Sequence, residues 1–381
     1  MELEKGRITS TGLIMLIFGF SIGTSVLEPP GRIAGTDAWI AILIGIAESL
    51  LIAAVFLLLT KRFPGKTLVE ISDIVYGPFL GKVISILFLW YLFHVGSLAL
   101  GDYTDYFSAL FLINTPPIVL LAAIALICIS AAKKGIQVIS RCGVIIVFVE
   151  LFMYFLTIFL LIGNFEIKNL QPVLTTPAAK LLWASHGAAS FPFAETVAFL
   201  MVIPFLKNQR DAVPSTFTGI MLAGLVMASS AVMNTGVLGA SEKAYIYPSF
   251  HAITMINIGE IITRLEIVAP LFVLGMGFLK VTILLYGVSL GAAQICSLHS
   301  YRPLVVPMAV IMSILALYNF PNPAEFIRFV INAYPVYALP FQVIIPLLTL
   351  IISAIRKIQQ QDDNSRHKGQ RPPTKSKRRQ T

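Results

Sequence analysis

The chain has 381 residues, of which 57% are hydrophobic and only 12% charged, with a net charge of +9 and a mean hydropathy of +0.83. Soluble globular chains carry about 25% charged residues, and half that density cannot cover a water-soluble protein of this size. The apolar residues come in runs of about 20, the length that crosses roughly 30 Å of hydrocarbon, so the sequence is that of an all-α, multi-pass membrane protein.

Ten membrane segments follow in chain order, at 9–29, 38–60, 79–112, 117–132, 142–163, 181–205, 213–236, 264–297, 304–318 and 333–355. The first lacks a small-residue cleavage site and reads as a retained helix rather than a signal peptide. The third is long enough to be tilted. Between the second and third, Pro64-Gly65 suits a type II turn in which Gly takes φ > 0. Thr67 and Glu70 have the spacing of a capping box that opens a short helix. The stretch 237–263 is the longest loop, read either as partly helical or as a plain connector. Placing the N-terminus in the cytoplasm puts 21 Lys and Arg inside and six outside, with Lys280 within the eighth span. This excess predicts that both termini are cytoplasmic. The tail from 356 to 381 holds nine of the basic residues and two Asp. It reads as a disordered segment held near anionic lipid head groups. It lacks the aromatics and folding signals of a nucleic-acid binder. Cys128, Cys142 and Cys296 have neither metal-ligand spacing nor the pattern of a disulfide framework.

Two segments carry interruptions. The first contains Ile22-Gly23-Thr24-Ser25, where Gly weakens the helix and the hydroxyls can satisfy freed backbone groups. The sixth contains Ser190-Phe191-Pro192-Phe193-Ala194-Glu195, and Pro192 removes a helical hydrogen bond. These are the first spans of two successive sets of five. Matched breaks of this kind point to a secondary-transporter binding site, because unwound backbone in a bilayer needs a ligand, ion or water to satisfy it. Packing alone also places Gly and Pro in membrane helices.

The stretches 22–27, 35–40 (GTDAWI) and 62–68 (RFPGKTL), with Asp102-Tyr103-Thr104-Asp105-Tyr106-Phe107, the 135–141 segment GIQVISR and Asn169-Leu170-Gln171-Pro172, resemble the B-subunit family of spore germinant receptors. These are endospore germination permeases within the amino acid–polyamine–organocation superfamily. The resemblance covers nearly the whole chain and is densest before residue 175. Two features depart from it: the acid in Glu28-Pro29-Pro30, and Gly101-Asp102 in place of a basic–acidic pair. The resemblance implies a LeuT-like fold of ten helices as a 5+5 inverted repeat, with helices 1 and 6 broken. One domain then covers 1–355, with repeats at about 8–163 and 178–355. It further implies a membrane subunit that senses a nutrient germinant in the spore inner membrane, beside a germinant receptor A subunit and a lipoprotein C subunit.

In that fold the ligand sits near the midplane between spans one, three, six and eight. The residues at those depths are Gly23, Thr24 and Ser25; Tyr91, His94 and Leu98, which approximate one face at i, i+3, i+7; Ser190, Phe191, Phe193 and Ala194; and Thr282 and Tyr286, which share a face at i, i+4. His94 suits either a ligand contact or a bond to a neighbouring helix, and Thr282 and Tyr286 suit either a ligand or interhelical bonding. Ionisable residues deep in the membrane are functional candidates by default, and Glu48, Glu150, Glu195 and Lys280 qualify. Glu195, next to the break, and Lys280, mid-span, are the coupling or gating candidates. The expectation for Lys280 is an ammonium that replaces a cation against carbonyls near Gly23; the alternative is a structural pair with Glu48. Asp102 and Asp105 read as solvated. No phosphate-binding loop, metal cluster or nucleophile–base arrangement is apparent, so neither an enzyme nor a cofactor is expected. Three functions remain open: a germinant receptor subunit, an amino-acid/proton transporter, and a passive conduit. An unwound helix pair suits a zwitterionic amino acid; His94, Thr282 and Tyr286 would also serve a sugar.

Overall fold

The computed structural model describes residues 3–25, 27, 29–256 and 268–358. Glu28, the 257–263 part of the longest loop, Arg264 and the tail beyond residue 358 lie outside the described residues. Regular structure among the described residues is helical, joined by one isolated β-bridge between Ile8 and Leu206. The helices are α1 (Ser10–Ser25), α2 (Ala38–Arg62), α3 (Leu68–Tyr76), α4 (Pro78–Leu110), α5 (Pro117–Lys134), α6 (Ile136–Leu161), α7 (Ala178–Ala188), α8 (Ala212–Leu238), α9 (Pro248–Thr254), α10 (Val268–Ile295), α11 (Arg302–Tyr318), α12 (Pro323–Asn332), α13 (Tyr334–Leu339) and α14 (Ile345–Ile355).

Apolar runs without charges form helices here because a helix satisfies every backbone group within its own segment, as lipid requires. Among the described residues, seven helical stretches are long and apolar enough to cross a membrane. The other three expected spans are each shortened by a local cause. The first is α1, whose described helix ends at Ser25, with Leu27 in a turn. Gly23 and Thr24 are still helical, so the interruption begins later than their composition suggests. The second is the α7 segment, which ends at Ala188 and passes through a π-turn (Ala189–Phe193) into 3-10 turns over Ala194–Met201 and Ile203–Phe205. Phe191 is extended there, with φ −129° and ψ 113°. The third is α11, after which the chain turns through 98° into α12. The last span is also not one helix: a π-turn at Pro340–Ile344 separates α13 from α14.

α10 runs beside α4, and α1 lies between α8 and α10. Two of these central helices thus reach the α7 break from different sides. Aromatic side chains of α6 such as Phe152, Phe155 and Phe159 are exposed and form part of the lipid-facing belt. Gly65 takes φ 73° in its turn, and Thr67 and Glu70 form both bonds of the capping box that starts α3. The end of the bundle carrying Lys61, Arg62, Lys133, Lys134, Lys207 and Arg302, here the basic end, is tied by the N-terminal segment. Ile8 exchanges backbone hydrogen bonds with Phe205 (2.9 Å) and Lys207 (3.0 Å). Glu4 Oε2 accepts from the Ile136 amide at 3.2 Å and from the Tyr301 hydroxyl at 3.1 Å.

The α7 segment is positioned by close approach to α2. A Cβ on Gly45 would lie 2.8 Å from the Ser185 carbonyl oxygen and 3.0 Å from Ala188 Cβ. Gly45→Ala is therefore expected to destabilise the protein by about 1–3 kcal/mol through overpacking. A methyl added at Gly187, one position before α7 ends, would meet nothing within 4 Å. Gly187→Ala should be neutral or stabilise by up to about 1 kcal/mol through helix propensity. Thermal unfolding of the detergent-purified variants measures both; equal behaviour of the two would refute the close-packing account.

Candidate functional site

The α7 break carries Glu195 into the first turn of the Ala194–Met201 segment, where an acid complements unpaired helix N–H groups. α10 brings Lys280 to the same point. The two side chains are each about 1% exposed, and Lys280 Nζ lies 2.5 Å from Glu195 Oε2. The ammonium also donates to Thr24 Oγ1 on α1 at 2.8 Å. It stands 5.3 Å from the Phe20 ring centroid and 5.0 Å from that of Phe191, within reach of both ring faces. On the other side of the carboxylate, the Tyr334 hydroxyl donates to Glu195 Oε1. The hydroxyls of Tyr334 and Tyr91 are 3.1 Å apart. Gln342 Nε2 donates to the Tyr91 hydroxyl at 2.7 Å and to the Ser190 carbonyl at 2.8 Å. One chain of polar contacts thus runs from α1 through α10, the α7 break, α13 and α4, and returns to the break.

A small pocket of about 10 Å³, room for roughly one water molecule, adjoins this chain, lined by Thr24, Val95, Leu98, Ala99, Phe191, Glu195, Lys280, Phe326, Val330 and Tyr334. Two charges so placed cost several kcal/mol to desolvate unless they are paired and hydrogen-bonded, and here both conditions are met. The pocket is therefore apolar around one compensated pair, a concave cavity with few convergent polar groups. A larger, mostly apolar chamber of about 90 Å³ lies beyond the end of α1, away from the basic end, between α6, α8, α9 and α10.

The structure brings together only some of the residues picked out in the sequence. Thr24, Leu98, Glu195 and Lys280 line the central pocket. Gly23 adjoins it: a Cβ there would lie 3.0 Å from Lys280 Cβ and from the Tyr103 hydroxyl. Lys280 contacts the Thr24 hydroxyl and Glu195 rather than carbonyls near Gly23. Its pairing with Glu48 is overturned as well, because Glu48 Oε1 is taken by His186 Nδ1 at 2.6 Å. Ser25 bonds back to the Ser21 carbonyl and faces the larger chamber. Ser190 contributes its carbonyl, while its hydroxyl is spent on the His186 carbonyl.

The others turn away. Phe193 points towards α8, its ring tip 3.3 Å from where a Gly224 Cβ would be, whereas Phe191, expected at the same depth, does line the central pocket. His94 Nδ1 is 2.8 Å from the Tyr337 hydroxyl, and its ring stacks on Trp90. Thr282 is buried beside Cys128 of α5. Tyr286 packs edge-to-face on Phe205 and Tyr301 near the basic end. Asp102 is 4% exposed rather than solvated. Sequence reasoning missed Tyr334, Gln342, Phe326 and Val330. The available signal was in the last span: Pro335 and Pro340 interrupt it, and Gln342 is its one amide side chain.

A model of the family described as "Spore germination protein" matches residues 7–324. Spore germination protein KB of Bacillus subtilis (strain 168) is 28% identical over 360 residues, covering 93% of this chain and 96% of its own length. Spore germination protein YndE of the same organism is 24% identical, covering 94% and 99%. Among solved structures, a Na⁺-coupled sialic acid symporter in a substrate-bound outward-open state superposes with a TM-score of 0.66 at 10% identity, over 93% of this chain and 91% of that one. At that identity the likeness concerns the fold alone, which is the helical transporter fold anticipated from the sequence.

Removing one member of the buried pair leaves the other uncompensated, at a cost of about 3–5 kcal/mol. Lys280→Met is expected to lower the thermal stability of the purified protein by that order. Adding Glu195→Gln, which keeps an acceptor for Tyr334, should recover most of the loss. A double variant no more stable than Lys280→Met would show that the charges are not coupled.

Proposed function

The chain belongs to the spore germination protein family, and on that premise we propose that it is the membrane subunit of a nutrient germinant receptor whose ligand binds in the central pocket beside Lys280 and Glu195. The observation that carries this reading is the position of the only compensated, fully buried ion pair among the described residues: it lies at the break of the α7 segment, against α1, and on the wall of a cavity. The proposed ligand class is a small α-amino acid. A zwitterion brings one charge of each sign, so its ammonium can take the place of Lys280 on Glu195 while its carboxylate takes the place of Glu195 on Lys280. No charge is then left orphaned. Phe191, Leu98 and Val330 offer apolar surface to the side chain. A ligand without charges must instead leave the pair closed.

Opening the pair releases α10 from Thr24 and from the α7 break together. In the proposed mechanism the ligand favours the state in which these elements are re-paired through it, which is the differential affinity that a population shift requires. The A subunit reads that shift, with the lipoprotein C subunit completing the receptor. In this proposal the basic end and both termini face the cytoplasm of the spore, so the larger chamber is the approach from the outer side. An amino-acid/proton transporter of the same fold is the second reading; accumulation of labelled amino acid in proteoliposomes, above that of empty vesicles, would favour it over the receptor.

Isothermal titration of the purified subunit, or of its complex, with zwitterionic amino acids, their amides, a hexose and a nucleoside checks the ligand class. At least one zwitterion should bind, its amide at least about tenfold more weakly, a loss of about 1.4 kcal/mol, and the double variant Lys280→Met/Glu195→Gln, which lacks the cation that meets the ligand carboxylate, should abolish the difference. Binding of the hexose or nucleoside alone, unaffected by Glu195→Gln, would overturn the assignment.

A further inference from the structure

One further buried carboxyl outside the central site, that of Glu150, lies deep in a membrane-spanning helix and opens into a groove. Glu150 is on α6, fourteen residues after its start and eleven before its end, or about 21 and 16 Å from the two ends at 1.5 Å per residue. That is near mid-depth of a bilayer. The residue is 6% exposed, and among the described residues no donor lies within hydrogen-bond reach of it. Its carboxyl rests on α10 where the absence of a side chain makes room: a Cβ on Gly275 would be 2.4 Å from Glu150 Oε1. The carboxyl opens into a groove of about 390 Å³ between α5, α6 and α10. The rim of the groove is apolar and faces outward, with Ile127, Val149 and Leu271 each more than half exposed.

An unpartnered carboxyl at this depth, ionised or protonated, is costly. A lipid acyl chain would fill the groove but offers no polar partner, and a head group does not reach mid-depth. A second copy of this chain is a poor occupant too, because two concave faces related by a two-fold axis do not fill one another. A single convex helix with one donor side chain satisfies both shape and polarity. We propose that the groove seats a transmembrane helix of a different subunit, which donates a hydrogen bond from a basic, amide or hydroxyl side chain to Glu150. Interhelical hydrogen bonds of this kind specify association in membranes.

The test uses the chain co-expressed with its receptor subunits in membranes, with a photo-crosslinking residue at Val149, at Leu274, or at Phe159 outside the groove. Crosslinks to another subunit are expected from the first two positions and not from Phe159. Glu150→Leu should reduce co-purification of that subunit about tenfold, and Glu150→Gln, which still hydrogen-bonds, should retain most of it. Glu150→Leu should leave the melting temperature of the isolated chain unchanged or raised, which separates lost association from misfolding. Crosslinks to lipid alone or to a second copy of this chain, or co-purification indifferent to Glu150→Leu, would overturn the proposal.

Discussion

The pairing of Lys280 with Glu195 is the constraint around which the membrane domain is organised. Neither charge is tolerable alone at about 1% exposure, so the backbone must hold the two together and supply the remaining hydrogen bonds. The α7 break makes this possible. Extended backbone at Phe191 and the missing donor of Pro192 restart the chain in a new direction, and Glu195 falls in the first turn of the Ala194–Met201 segment. Thr24, Tyr334, Tyr91 and Gln342 then complete the polar shell. Each comes from a different segment of the chain except for the last span, which supplies both Tyr334 and Gln342 across its π-turn. A regular helix there would rotate one of the two away from the network.

The same pair also determines how α1 is held. At the basic end, α1 is preceded by the Ile8 bridge to residues 205–207 and by Glu4, which joins the start of α6 to Tyr301. Near its other end, Thr24 accepts from Lys280. The two ties differ in kind. The first is a set of backbone and side-chain hydrogen bonds that a small molecule in the central pocket does not reach. The second is an ionic contact on the pocket wall. Under the proposed role, a ligand in the central pocket would act on one end of α1 while the other stays fixed, which favours a hinge-like response over displacement of the whole helix.

Much of this is legible in the sequence, and the failures have a common geometric origin. Gly, Pro and isolated charges stand out against apolar runs, so the helical class, the α7 break, the α3 capping box, Glu195 and Lys280 are all readable. Azimuth is not. α10 is buried on nearly every side, so its composition carries no periodic signal to separate the Lys280 face from the faces of Thr282 and Tyr286. The partner of Lys280 is equally hidden: Glu48 and Glu195 lie at comparable depth, and only packing shows that His186 claims the former. Tyr334 and Gln342 escape notice because hydropathy presents the last span as one helix. Its prolines, in chemical terms the same signal as Pro192, create the turn that aims both side chains inward.

A pocket walled by its own ion pair has a consequence for recognition under the proposed role. A zwitterion that re-pairs both charges replaces one set of charge-assisted hydrogen bonds with another, so the net gain on binding is a small difference between large terms. A ligand with a single charge does worse, because it leaves one protein charge buried and unmatched, at a cost of several kcal/mol. The arrangement therefore favours discrimination over tight binding. Such a device suits detection of a nutrient at the concentrations at which it supports growth, and it needs no transport cycle, because exchange of partners within the network is itself the change that a neighbouring subunit can read.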